Sequence, residues 1–113
     1  MDVETKPLWT IQREAMGKPW QIELWPDDAH MTRGGSELGY VRHQRQLIRV
    51  NANQGMASRD ETMLHELLHA TADLVEFPIR EKDIGALSSV LFAFLRGFGL
   101  WRDFPWPDRE EQP

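Results

Sequence analysis

The sequence predicts a small α+β domain: a short N-terminal helix, a three-stranded sheet and then two long helices. Three observations carry this. Trp20 to Trp25 and two runs before position 51 have strand composition. After position 58, apolar residues recur at helical spacing in two long segments. Pro78 separates those segments, because proline lacks an amide donor and restricts the residue before it.

Residues 1–7 read as a loose start. Leu8 to Met16 has the length of a short helix, ended by Gly17-Lys18-Pro19. In Trp20-Gln21-Ile22-Glu23-Leu24-Trp25 apolar and polar residues alternate until Trp25, a strand that Pro26-Asp27-Asp28 stops. Residues 29–37, with Gly34-Gly35-Ser36, read as a loop. Leu38 to Arg42 and Gln46 to Val50 form a hairpin around His43-Gln44-Arg45, and 51–57 is a second loop. Ser58 and Glu61 have the spacing of a capping box for a helix over about 59–75. Its apolar stripe is Met63, Leu64, Leu67, Leu68, Leu74 and Val75, and His65, His69, Ala72 and Asp73 lie on an adjoining face. Arg80 to Gly97 is the second helix, with Ile84, Leu87, Val90, Leu91, Phe94 and Leu95 at helical spacing. The tail from Trp101 is rich in proline, tryptophan and charge. Residues 1–7 and 101–113 are expected as surface arms of a single domain spanning 1–113.

Composition narrows the function classes. Hydrophobic residues make up 41% of 113, enough for one modest core. The absence of cysteine removes disulfides, thiolate metal sites and cysteine nucleophiles, and fits a reducing cytoplasm. Neither a signal-like start nor a membrane-length apolar run is present, so a cytoplasmic protein is expected. A net charge of −5 argues against nucleic acid as the main partner. Nothing in the composition fixes an oligomeric state.

The first long helix carries His65-Glu66-Leu67-Leu68-His69, an H-E-x-x-H pentapeptide. Residues four apart are about one turn apart, so the two imidazoles project from one face and can share a metal ion. Glu66 lies about 100° round the helix, where it can reach a metal-bound water as a general base without being a ligand. Zinc suits two imidazoles and a carboxylate. The third ligand is expected downstream, from Asp73, Glu76, Glu81 or Asp83, since no histidine follows His69. Asp73 is one turn past His69 and short, so it reads as a partner for an imidazole N–H or as a solvated residue. Glu81 and Asp83 open the second helix, where acidic residues also suit the helix dipole. Glu81 has the longer reach. The chemistry expected is hydrolysis of a peptide bond in a peptide or protein substrate, with Zn2+ as cofactor.

Glu61-Thr62-Met63-Leu64-His65-Glu66-Leu67-Leu68-His69-Ala70 resembles the motif helix of small phage and bacterial H-E-x-x-H metallopeptidases. These are minimal gluzincin-type zincins near the ImmA/IrrE and SprT-like groups. Arg80-Glu81-Lys82-Asp83-Ile84-Gly85-Ala86-Leu87-Ser88 resembles the acid-bearing helix that follows it there. The resemblance spans roughly residues 20–97, and its specific part is the motif helix. It implies a zincin-like fold, zinc held by His65, His69 and Glu81, and Glu66 as general base. The sequence departs from larger gluzincins in the short interval between His69 and Glu81. It also lacks the further histidine of metzincins, since position 75 is Val. The alternative to a peptidase is a non-catalytic, zinc-stabilised protein-interaction domain.

Other residues have plainer readings. Arg42, His43, Arg45 and Arg49 make a basic hairpin, read as a solvated strand face before a nucleic-acid contact; the hairpin is also a candidate peptide-docking edge. His30 and His43 are outside any ligand spacing. Trp9, Trp20, Trp25, Trp101 and Trp106 are expected mostly in the core. Ser88 and Ser89 are expected to serve packing rather than catalysis.

Overall fold

The computed structural model describes residues 6–26 and 38–109. The elements are β1 (Trp9–Ala15), β2 (Lys18–Trp25), β3 (Gly39–Arg42), β4 (Leu47–Asn51), α1 (Met56–Leu74) and α2 (Glu81–Gly97). The α+β class holds, with a mixed four-stranded sheet followed by two helices. The sheet order is β1-β2-β4-β3, so β3 is an edge strand. β2 and β4 pair in parallel, and the two outer pairings are antiparallel.

The predicted N-terminal helix is instead strand β1, which brings the sheet to four strands rather than three. The cause is local. Trp9 and Ile11 are partly buried while Thr10 and Gln12 are exposed, the two-residue period of a strand. Met16 and Gly17 then both take positive φ, 56° and 74°, and Ala15 pairs with Lys18. Two such residues in a row make the tight turn whose twist suits a hairpin. The second hairpin forms as expected, with a 3-10 turn over His43–Arg45 between β3 and β4.

The core gathers Trp20, Ile22 and Leu24 of β2, Ile48 and Val50 of β4, and Met63 and Ala70 of α1. β2 and β4 are the central strands, which is why they supply most of it. On β2 and β4, Glu23 is buried and accepts from Trp25 Nε1 at 2.8 Å and Arg49 Nε at 2.7 Å. Arg49 also stacks over Trp25 and donates to the Tyr40 hydroxyl at 2.6 Å. One arginine of the basic hairpin is thus internally paired.

α1 starts three residues before the expected boundary. Gly55 is its extended N-cap, so Ser58 lies inside the helix and the capping box does not form. Ser58 Oγ donates to Gln54 Oε1 instead, and Glu61 accepts from Ser89 Oγ of α2 at 2.8 Å. Pairing of Glu61 with Ser89, and of Glu81 with His65 and His69, runs α2 antiparallel along α1. Among the described residues no helix is long and apolar enough to cross a membrane.

The expected C-terminal surface arm is a plug over residues 101–109. Trp106 is 2% exposed and joins the core, with its ring against Trp9 and Phe104. The physical reason is Asp60, buried on α1. Its carboxylate accepts from Trp106 Nε1 at 2.8 Å, Trp101 Nε1 at 3.2 Å and Arg109 Nη2 at 2.7 Å. Beside it, Arg59 forms a two-point pair with Asp108 at 2.8 and 3.1 Å. That guanidinium holds the Asp108 carboxyl below its ordinary range, so this pair's stabilisation is present at neutral pH and fades as acid protonates Asp108. Asp60→Ala should destabilise the fold by about 2–4 kcal/mol, because it strands two indole donors and leaves Arg109 only Asp103 and the Phe104 carbonyl. Urea unfolding followed by tryptophan fluorescence measures this; a loss under 1 kcal/mol would leave the tail without its assigned anchor.

Candidate metal centre

His65 and His69 are one turn apart on α1, with ring centroids 4.9 Å apart. The chain then needs six residues to leave α1 and start α2, with Glu76 at φ 54° making the reversal. This returns Glu81, the first residue of α2, to the two imidazoles. Glu81 Oε2 lies 2.8 Å from His65 Nε2, and Oε1 lies 2.8 Å from His69 Nε2. One ligand atom from each of the three residues falls within 4.8 Å of the other two, a set that could hold a metal ion.

The donor set fits a divalent cation such as zinc. Two imidazole nitrogens and a carboxylate oxygen make three protein ligands, and the half-exposed to exposed side chains leave a side open. Ligand atoms about 2.0–2.1 Å from a tetrahedral ion stand roughly 3.3 Å apart. The observed 2.8 Å contacts therefore need an opening of a few tenths of an ångström, which the exposed Glu81 side chain can supply.

Ser88 was the residue whose part at this site sequence reasoning missed. It is 1% exposed, and its hydroxyl donates to the Gly85 carbonyl at 3.0 Å. That leaves an oxygen lone pair facing His65 Nδ1 at 3.4 Å. That oxygen can accept a proton from Nδ1, the tautomer in which the Nε2 lone pair is open to a cation. The signal was present: position 88 is seven residues, or about two turns, after Glu81 on the same face of α2.

Glu66 is buried and lines the same cleft, which has a volume of about 910 Å³ between β3, α1 and α2. Leu38 to Val41, on β3 and its approach, form one wall of the cleft. Gly39 sets how closely that wall approaches. A Cβ there would stand 2.6 Å from Thr62 Cγ2 and 2.8 Å from the Arg49 carbonyl oxygen, with Glu66 Oε2 at 3.6 Å. Glycine is what lets the edge strand lie against α1 beside Glu66.

The other third-ligand candidates lie outside the triad. Asp83 pairs with Arg80 at 3.1 Å, and Asp73 and Glu76 are exposed at the end of α1. His43 is in the 3-10 turn between β3 and β4, and His30 is outside the described residues. Comparison with protein-family models, with curated proteins and with solved structures finds no match.

Purified chain should take up about one zinc ion, and His65→Ala with His69→Ala should abolish this. Metal analysis and zinc titration provide the check. Glu81→Ala should weaken binding well beyond Asp83→Ala or Asp73→Ala; a larger effect from Asp83→Ala would overturn the geometry above. Ser88→Ala should reduce zinc affinity about 10–100-fold, the usual effect of losing a group that orients a histidine ligand.

Proposed function

We propose that the chain is a zinc-dependent, peptidase-like hydrolase of the H-E-x-x-H zincin type carried by phages and bacteria, working in the cytoplasm on a peptide or protein substrate. The observation that supports it best is Glu66 beside the His65–His69–Glu81 triad, inside a cleft bordered by an edge strand. The order of elements, sheet then motif helix then acid-bearing helix, agrees with the resemblance of the motif to that family.

In this reading His65, His69 and Glu81 hold the ion. Bound zinc would lower the pKa of a water to about 7 and polarise a substrate carbonyl. Glu66 acts as the proton carrier, accepting a proton from the attacking water and passing it to the leaving amine. Gly39 brings β3 close to Glu66, where an added Cβ would stand 3.6 Å from Glu66 Oε2. Ser88 offers His65 Nδ1 an acceptor that would orient the ring with Nε2 toward the ion. β3 pairs with β4 along one edge only among the described residues. Its other edge can take an extended peptide by adding a strand, with alternate substrate side chains entering the cleft.

The second reading is a non-catalytic domain in which metal clamps α1 to α2. The exposure of Glu81, 69% for its side chain, favours it to the extent that an ion would order a residue otherwise free to leave. Glu66→Gln separates the two. It keeps the shape and removes the proton acceptor, so zinc content should be unchanged while peptide hydrolysis falls about 10²–10⁴-fold. Hydrolysis of a peptide library, read by mass spectrometry, is the assay. Cleavage that survives in Glu66→Gln would exclude the mechanism, and zinc binding without cleavage in the parent chain would favour the clamp.

A further inference from the structure

α2 buries one face, and a second, apolar face stays exposed among the described residues. Ile84, Ser88 and Phe92 point inward and are buried. Leu87, Val90, Leu91, Phe94 and Phe98 recur at i, i+3, i+4, i+7 and i+11, which places them on a second arc of about 100°. These five are between 37% and 71% exposed. Phe94 and Phe98 pack on one another with ring centroids 5.7 Å apart, so the arc forms a continuous ridge. Leu100, 70% exposed, follows it. A surface helix is expected to turn charge toward water on this side, yet residues 84–95 contain no charged side chain at all.

We infer that this ridge is the contact between two copies of the chain, with the α2 helices packed against each other about a twofold axis. Area supports a second copy. With a large aromatic side chain burying about 150–250 Å² and Leu or Val somewhat less, the five residues at these exposures supply on the order of 500 Å² per copy. Two copies then remove about 1,000 Å², the threshold a biological interface should reach, whereas monomers rarely leave apolar patches above a few hundred Å². Composition supports it too. A neutral ridge of Leu, Val and Phe gives a charged partner nothing to recognise, but it is complementary to itself, as a twofold contact requires. An antiparallel arrangement also opposes the two helix dipoles. The metal ligand Glu81 and the cleft residues Gly85 and Ser89 lie on the other side of α2, so the contact leaves the cleft open. The inference does not depend on the proposed catalytic activity.

The test is the molar mass of the full chain by light scattering and sedimentation across about 1–100 μM. The parent should reach twice the 13.2 kDa of one chain. Phe94→Glu should return it to a single chain mass, with helical circular dichroism and zinc content retained. Should that variant not fold, Leu87→Ser with Phe94→Ser provides a milder loss of the ridge and should shift the dimer dissociation constant at least tenfold. Ala93→Glu, exposed on a different face of the same helix, should stay dimeric. A parent chain of single mass at the highest concentration, open-ended aggregates in place of a dimer, or a dimer unchanged by both ridge variants would each overturn the inference.

Discussion

The carboxylate of Asp60 is the point on which the arrangement of the helices turns. It is a charge on α1 with almost no solvent access, and desolvating such a group costs several kcal/mol unless it is matched. The match comes from the far end of the chain: the indoles of Trp101 and Trp106 and the guanidinium of Arg109 all donate to it. Because Trp101 closely follows α2, this fixes the C-terminal end of α2 near the beginning of α1. Phe92 of α2 packs edge-on against Trp101 at 5.1 Å, which carries the constraint into the helix. The opposite end of α2 is then returned to the middle of α1, where His65 and His69 meet Glu81.

Two kinds of attachment therefore hold α2. At the Asp60 end the contacts converge on one buried carboxylate, so they are strong and directional. At the Glu81 end they are open to water, and an ion pair of that kind is worth little by itself. The asymmetry suits a metal site. A preformed but weakly held carboxylate can adjust by a few tenths of an ångström to receive an ion, and the ion's binding energy then stabilises the helix pair.

The sheet contributes position rather than ligands. Central strands β2 and β4 fill the core against α1, while β3 is left at the edge, with one side unpaired among the described residues. Gly39 draws that edge to α1, and the result is a cleft with Glu66 in one wall and the triad in another. A side chain at position 39 would collide with Thr62 and with the backbone of β4. The close approach of strand to helix and the placement of Glu66 therefore share one cause.

Local pattern in the sequence determined much of this. The strand before Pro26, the hairpin around His43-Gln44-Arg45 and both long helices follow from periodicity and breakers, because each is decided by neighbours a few residues away. The His65 and His69 pair is equally local, since one helical turn is enough to align two imidazoles. Glu81 was legible for a similar reason: a short connection at Pro78 leaves the next helix little choice but to return. The first strand was misread because Leu8 to Met16 has helical length, and its true signal, two positive-φ residues at Met16-Gly17 opposite a strand-forming partner, depends on pairing with β2. Tertiary structure alone decided the rest. The tail looked like a surface arm because its charges suit water, and only Asp60, more than 40 positions away, gives Trp106 and Arg109 a reason to be inside. Ser88 behind His65 and Gly39 beside Glu66 likewise take their parts from residues distant in sequence. Contacts of that range are set by how whole elements pack, which no window of adjacent residues contains.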